Sequence, residues 1–164
     1  MAPKIVQQPA FTVVGIAVRT DNSRESGPGG AIPRQWQRFM QDGIAAKIPN
    51  KVDDKVYVVY SNYESDYHGS YDYLIGVRVS STGKLLADLT AVEIRTGQYA
   101  VVTSAQGPVW QVVPDVWKQI WSLEDKDQLG GKRAYATDFE VYDERARDPQ
   151  NSQIDVYLGL RPKP

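Results

Sequence analysis

Six short stretches of the chain either alternate between hydrophobic and polar residues or are rich in β-branched residues, as is typical of β-strands. The predicted strands cover residues 11–20, 55–63, 71–80, 98–104, 135–142 and 153–161. In the third of them, Tyr71, Tyr73 and Ile75 share one face, which we expect to lie toward the core. The second and third strands are joined by a polar stretch, as are the last two, so two hairpins are predicted.

Two further stretches place their hydrophobic residues at helical spacing and predict amphipathic helices. The hydrophobic positions of the first are Ile32, Trp36, Phe39, Met40 and Ile44, and those of the second are Val109, Val113, Val116, Trp117, Ile120 and Trp121. Because Pro114 lies within the second stretch, either the regular helix begins there or the helix is kinked. We expect residues 21–30 to form a loop and residues 85–94 an irregular connector with some extended character.

The order strand, helix and hairpin occurs twice, in repeats that cover approximately residues 8–80 and 97–161. Residues 56–78 can be laid over residues 139–161 without a gap, at an offset of 83 residues. The identities at this offset include Asp72 with Asp155, Gly76 with Gly159, and Arg78 with Arg161. The same offset matches Tyr57 with Glu140, so we expect these two side chains to point into the seam between the repeats.

These patterns together predict the fold class. Every predicted helix and strand has a single apolar side, and an antiparallel sheet with helices on one face is the simplest way to bury them all. We therefore predict an α+β fold of duplicated β-α-β-β units with pseudo-twofold symmetry, in which a mostly antiparallel sheet carries two main helices on one face. A chain of 164 residues suits one domain, spanning residues 1–164.

Composition and charge narrow the classes of function. The chain has 19 lysines and arginines against 20 acidic residues, collected in no long run, so we predict no direct binding to nucleic acid. The absence of cysteine excludes disulfides, thiol catalysis and thiolate metal sites. No stretch approaches the roughly 20 apolar residues of a membrane span, and the N-terminus lacks the apolar core of a signal peptide. We predict a cytoplasmic protein that does not interact with membranes.

A series of motifs along the chain is similar to a known family. The motifs are the helix with Trp36 and Phe39, the strand Tyr71-Asp72-Tyr73-Leu74-Ile75-Gly76, the strand Gly97-Gln98-Tyr99-Ala100-Val101, the pair Gly107-Pro108 before a tryptophan-rich helix, and Phe139-Glu140-Val141-Tyr142. In this order they resemble the AraC-type effector-binding domain, also called the GyrI-like domain of bacterial transcription regulators. The resemblance covers nearly the whole chain.

The resemblance implies a cleft for small molecules near the seam between the two repeats. In multidrug-sensing members of the family this cleft takes bulky aromatic cations, and a buried glutamate in the last hairpin supplies the negative charge. Glu140 matches the position of that glutamate. Members occur both fused to DNA-binding domains and free-standing, and we expect the free-standing form here, with a separate regulatory protein as a candidate partner.

The strand pattern is a second reason, independent of the resemblance, to consider Glu140 as a functional residue. Phe139 and Val141 share one face of their strand, whereas Glu140 and Tyr142 share the other. If the helices cover the second face, an isolated carboxylate there is costly and has a raised pKa, and a ligand cation would relieve that cost. The sequence and the resemblance together predict a binding module for lipophilic cationic or aromatic small molecules.

The candidate ligand-binding residues are Glu140, Tyr57, Tyr142, Tyr73, Trp36, Phe39, Trp110 and Trp117. We expect the hydroxyl of Tyr57 to orient the carboxylate or a ligand, and we expect Trp110, placed before the regular helix, to form a lid or rim. The alternatives are core packing for the aromatic residues and, for Glu140, a solvated position paired with Arg145 or Arg147.

Other chemistry has less support in the sequence. The only histidine, His68, lies in a predicted loop near Glu64 and Asp66, and both a metal site and a serine-histidine-acid triad would depend on that residue alone. We therefore predict no metal, no cofactor and no catalytic residue. Two alternative functions remain, namely a hydrolase of reactive cyclic small molecules that uses the cleft glutamate, and a protein-interaction module such as a gyrase inhibitor.

Overall fold

An antiparallel sheet of eight strands organises the chain in the computed structural model, which describes residues 2–163. The strands are β1 (Lys4–Gln8), β2 (Phe11–Asp21), β3 (Val56–Ser61), β4 (Ser70–Val79), β5 (Thr90–Ile94), β6 (Gly97–Thr103), β7 (Arg133–Tyr142) and β8 (Asp155–Leu160). Their order across the sheet is β1-β6-β8-β7-β3-β4-β2-β5, and all neighbours are antiparallel. The six predicted strands are confirmed, and β1 and β5 extend the sheet at its two edges.

Two main helices confirm the predicted helical stretches. They are α2 (Ile32–Gln41) and α3 (Val109–Asp125), preceded by a short α1 (Asn22–Glu25) in the segment predicted as a loop. The α3 helix continues through Pro114, so Trp110 lies in its first turn and not before the helix as predicted. In the described part of the chain, no helix has the length and apolar character required to cross a membrane.

The two β-α-β-β units are confirmed as β2-α2-β3-β4 and β6-α3-β7-β8. Strands β3 and β7 pair at the centre of the sheet, with three further strands on each side. The unit topologies therefore match, and the seam between the repeats runs along the β3–β7 pair. This arrangement confirms the predicted α+β fold class.

The match of Tyr57 with Glu140 is wrong, because the gap-free offset of 83 holds for β4 and β8 but not for β3 and β7. Tyr60 lies opposite Tyr73 in the first hairpin, and Glu140 lies opposite Val156 in the second. Tyr73 and Val156 are 83 residues apart, so the structural equivalent of Glu140 is Tyr60, at an offset of 80. The second hairpin has three more residues between these positions, which shifts the register between its arms.

Side chains from both faces of the sheet are buried. The helices cover one face, here called the helix face, which carries Tyr60 and Tyr73. On the opposite face, the rings of Phe11 and Phe139 lie 5.3 Å apart, although their strands are three positions apart in the sheet. A flat sheet would separate such strands by about 14 Å, so the sheet curves around a second cluster, here called the inner cluster. This cluster contains Phe11, Val13, Tyr57, Val59, Leu74, Ile94, Tyr99, Phe139 and Val141.

The close approach of β2 and β4 requires glycine at two facing positions. Gly15 lies opposite Gly76 in the ladder, and a Cβ atom on either would overlap backbone atoms of the other strand. We expect Gly76→Ala to lower the free energy of unfolding by about 1 to 3 kcal/mol, the typical range for overpacking a tight site. The control is Gly29→Ala, where a Cβ meets no atom within 4 Å, with an expected change within about 0.5 kcal/mol. Urea unfolding of both variants measures this, and equal stability would contradict the close approach.

Candidate functional site

Glu140 lies at the centre of the sheet with its carboxylate on the helix face, and the residue is 0% exposed. Its Oε2 accepts hydrogen bonds from the Tyr60 hydroxyl at 2.8 Å and from Trp117 Nε1 at 2.6 Å. Its Oε1 accepts a bond from the Tyr142 hydroxyl at 2.8 Å. The three donors come from β3, α3 and β7, so the carboxylate joins both repeats. We call these four residues the Glu140 cage.

The donors of the Glu140 cage are all uncharged. In residues 2–163, no lysine, arginine or histidine forms an ion pair with Glu140. Arg145, one of the two arginines considered as partners of a solvated glutamate, instead pairs with Asp143 at 2.9 Å and Asp155 at 2.8 Å. The alternative of a solvated Glu140 paired with Arg145 is therefore wrong, and the carboxylate is buried without a compensating cation.

Burial raises the pKa of the Glu140 carboxyl, and the three hydrogen bonds from Trp117, Tyr142 and Tyr60 oppose this shift without cancelling it. Burial also raises the pKa of Tyr60 and of Tyr142 well above the ordinary tyrosine value, and the nearby charge of Glu140 adds to both shifts. The tyrosines therefore remain protonated and act as neutral donors. The raised carboxyl pKa agrees with the sequence-based expectation for a buried position.

A second layer of aromatic rings surrounds the cage. The Tyr60 ring lies 4.9 Å from Trp117 and 5.3 Å from Tyr73, measured between ring centroids. Trp36 donates a hydrogen bond from Nε1 to the Tyr73 hydroxyl at 2.8 Å and lies 4.9 Å from the ring of Tyr142. Trp36 of α2 and Trp117 of α3 thus both pack on side chains of the sheet around Glu140, and aromatic rings enclose the carboxylate.

Six of the eight candidate residues are brought together in this way. Glu140, Tyr142 and Trp117 belong to the cage, Trp36 and Tyr73 lie in the second layer, and Phe39 packs against Trp36 with ring centroids 6.3 Å apart.

The other two candidates, Tyr57 and Trp110, lie elsewhere. Tyr57 belongs to the inner cluster on the opposite face, where its hydroxyl donates to Asp53 at 3.1 Å, because residues of odd number in β3 point away from the helices. Trp110 is 60% exposed and precedes Trp117 by seven residues, about 10 Å along the helix. Tyr57 thus lies in a seam strand, but the expectation that its side chain points to the same side as Glu140 is wrong.

Sequence reasoning missed Tyr60, whose hydroxyl contacts the carboxylate directly. The signal was present in the strand pattern, since Val56, Val58 and Tyr60 alternate with residues of the other face. Pairing across the seam places Val58 opposite Glu140, and this identifies which set faces the helices.

Glu140 does not line either of two concavities on the surface of the protein. Their volumes are about 520 Å³ and 490 Å³, and Gln98 and Leu160 line both. Because Glu140 has no contact with solvent, any molecule that reaches its carboxylate has to displace aromatic side chains of the cage or of the second layer.

The raised pKa of Glu140 predicts how stability changes with pH. In the unfolded chain the Glu140 carboxyl loses its proton at about pH 4.3, the ordinary value for glutamate. In the native state the same carboxyl keeps its proton to a higher pH. The contribution of this carboxyl to stability is thus present at low pH and is lost as the pH rises through its raised pKa. In Glu140→Gln, the amide oxygen can accept from Tyr60 and Trp117 and the amide nitrogen can donate to Tyr142. We expect its Tm to exceed that of the wild type by a margin that grows with pH.

Thermal unfolding followed by circular dichroism over about pH 4 to 8 measures this margin. Glu144→Gln is the matched control, because Glu144 is an exposed glutamate close in sequence. The difference in Tm between Glu144→Gln and the wild type should not increase with pH. A margin for Glu140→Gln that is independent of pH would contradict the assignment of a raised pKa.

Comparisons with known proteins identify the family to which the chain belongs. Residues 4–160 match the family described as Cass2, integron-associated effector binding protein. YobU of Bacillus subtilis strain 168, named as a candidate transcriptional regulator, is 31% identical over 148 residues, which cover 90% of each protein. The family match and this relative agree with the resemblance drawn from the sequence motifs.

Two solved structures are similar in fold. The integron cassette protein VCH_CASS2 from the mobile metagenome of Vibrio cholerae has a TM-score of 0.75 and 30% identity, over 98% of this chain and 96% of that one. SAV2435 bound to tetraphenylphosphonium has a TM-score of 0.78 over 98% of this chain and 94% of that one. Its identity of 21% supports similarity of fold alone. The chain therefore belongs to the Cass2 family of integron-associated effector-binding proteins, which has the GyrI-like effector-binding fold.

Proposed function

We propose that this protein binds lipophilic cationic aromatic small molecules and that Glu140 supplies the negative charge of the site. The observation that carries the proposal is a carboxylate that is fully buried and bonded only to neutral donors. Ionised groups in protein interiors are normally paired with an opposite charge or a metal. A ligand cation would supply the missing charge.

The aromatic rings around Glu140 suit such a ligand. Tyr60, Trp117 and Tyr142 each reach the carboxylate through a polar ring edge, so a cation held beside Glu140 would lie close to three aromatic rings. Each such cation–π contact contributes about 0.5 to 2 kcal/mol, most where the site is desolvated. Large apolar groups on the ligand would pack against the same rings, so affinity and charge selectivity come from the same residues.

Entry of a ligand requires rings to move, and the less buried ones are the best candidates. Tyr60 and Trp117 are buried, whereas Trp36 and Tyr142 are partly exposed and pack against each other at the surface of the seam. We infer that a ligand enters by displacing Trp36 and Tyr142. Loss of the Tyr142 hydrogen bond would free Oε1 of Glu140 to face the ligand.

Two further points support binding of a cation without turnover. The first comes from the comparisons: SAV2435, which has a similar fold, was solved with tetraphenylphosphonium, a lipophilic aromatic cation, and the family of this chain is described as effector-binding. The nearest acidic residue on the same strand face, Asp138, is committed to an ion pair with Arg133 at 2.6 Å. Glu140 thus lacks the second available carboxylate with which acid and base roles are often divided.

A separate regulatory protein partner and a cytoplasmic location remain predictions from the sequence.

The test uses two probes that differ chiefly in charge, methyltriphenylphosphonium and neutral triphenylphosphine oxide. We expect the wild type to bind the cation more tightly, and Glu140→Gln to bind it at least about tenfold more weakly, since a charged interaction of this kind is worth about 1.5 kcal/mol or more. The affinity for the neutral probe should change little. Isothermal titration calorimetry measures all four affinities.

Glu144→Gln serves again as the control, because it removes an equal charge from an exposed position. Equal affinity of wild type and Glu140→Gln for the cation would overturn the role of Glu140. Recovery of both probes chemically unchanged after prolonged incubation, checked by mass spectrometry, is the outcome expected of a binding protein.

A further inference from the structure

A second buried carboxylate lies beside the Glu140 cage, and it already holds a cation. Asp138 precedes Glu140 by two residues, is 0% exposed and shares the helix face. Arg133 Nη2 donates to Asp138 Oδ2 at 2.6 Å, and Arg133 Nη1 donates to Glu124 Oε1 at 3.3 Å. The Arg133 side chain is 1% exposed, so this ion pair is inside the protein.

Aromatic rings enclose the guanidinium of Arg133. Its Cζ lies 4.2 Å from the ring centroid of Tyr135, 5.8 Å from that of Trp117 and 6.0 Å from that of Tyr63. The hydroxyl of Tyr63 donates to Asp138 at 2.5 Å, as that of Tyr60 does to Glu140. We call Asp138, Glu124, Tyr63, Tyr135 and Trp117 the Arg133 cage.

The two cages share their chemistry and one residue. Each combines a fully buried carboxylate of β7 with a tyrosine hydroxyl from β3 or the residues just after it, and Trp117 contributes to both. They differ in one respect. The Arg133 cage is filled by a cation of the chain itself, whereas the Glu140 cage contains no cation.

The backbone of β7 is irregular at the point that aims Arg133 into its cage. In a regular strand, residue 133 would face away from residue 138, because their numbers differ by an odd count. A register shift separates the pairs Arg133 with Leu160 and Asp138 with Leu158, and Tyr135 between them has a φ of 52°. Such bulges and positive φ values at non-glycine residues re-aim side chains and cluster at functional sites.

Stability alone is a poor explanation for this arrangement. A buried ion pair gives little net stabilisation, because desolvation of both charges opposes their attraction. In the described part of the chain, Arg133 Nε is also buried without a hydrogen-bond partner, which adds a further cost. Both facts favour a role for Arg133 in ligand selection.

We propose that Arg133 is a specificity-determining residue, because it occupies a second cation cage next to the Glu140 cage and thereby limits ligands to one cationic centre. The inference rests on the proposed function of Glu140. Residues two apart on one strand face are separated by roughly 7 Å, so Asp138 would otherwise offer a second anchor to an elongated dication. Arg133 prevents a ligand from using Asp138, because its side chain fills the space beside the carboxylate and neutralises its charge.

The first experiment tests the Arg133 cage as a cation site, independently of Glu140. Arg133→Ala removes the atoms that ethylguanidinium contains, so millimolar ethylguanidinium should raise the Tm of this variant. Neither the wild type nor Arg133→Ala/Asp138→Asn should respond, and neutral N-ethylurea should have no such effect. If Arg133→Ala does not fold, ethylguanidinium added during refolding should restore the folded state. Absence of any rescue would overturn the proposal.

The second experiment tests selectivity with two ligands of similar shape, the monocation 1-methyl-4-phenylpyridinium and the dication 1,1′-dimethyl-4,4′-bipyridinium. We expect the wild type to prefer the monocation, Arg133→Ala to shift the ratio of affinities toward the dication by at least tenfold, and Arg133→Ala/Asp138→Asn to lose that shift. An unchanged ratio in Arg133→Ala would overturn the role of Arg133 while the function of Glu140 stands. If the wild type binds neither ligand, the proposed function fails, and the ethylguanidinium experiment still decides whether the cage accepts a cation.

Discussion

The hydrogen bonds to the Glu140 carboxylate are the interaction on which the centre of the molecule depends. They join β3, β7 and α3 at the seam, where the two repeats also meet through the β3–β7 ladder. A buried anion is tolerated only when its oxygens are bonded, so the buried donors Tyr60 and Trp117 have little freedom of position. Trp36 and Tyr142 are partly exposed and pack against each other at the edge of this arrangement.

Strand β7 supplies the fully buried carboxylates of both cages, and neighbouring elements supply further hydrogen-bond donors to them. Its helix face presents two buried carboxylates, Asp138 and Glu140, each with a tyrosine donor. A backbone irregularity places Arg133 beside Asp138. In the described part of the chain, no cationic side chain pairs with Glu140. The difference between a neutralised and an uncompensated carboxylate, two residues apart, is the reason for proposing the second one as the site for an external cation.

Local pattern in the sequence was sufficient for six of the eight strands, for the two main helices and for placing Glu140 and Tyr142 on one face of their strand. It was insufficient for two features that depend on pairing between distant strands. Tyr57 was matched to Glu140 because a gap-free repeat hides the three extra residues of the second hairpin, and the ladders reveal Tyr60 instead. Arg133 was missed because the predicted strand begins at residue 135, and the bulge that turns Arg133 toward Asp138 leaves no clear sign in the residue types.

The equivalence of Tyr60 and Glu140 has a consequence for how such a site can arise. In a symmetric homodimer of single units, one residue would occupy both positions, and two glutamates there would face each other across the axis, as Tyr60 and Glu140 do here. Like charges so close cannot both be ionised, and such a pair would share a proton and present a weaker charge. Covalent fusion of the two units removes the requirement that they be identical. A tandem chain can therefore keep one full negative charge on a near-symmetric aromatic surface, which an assembly of identical subunits cannot do.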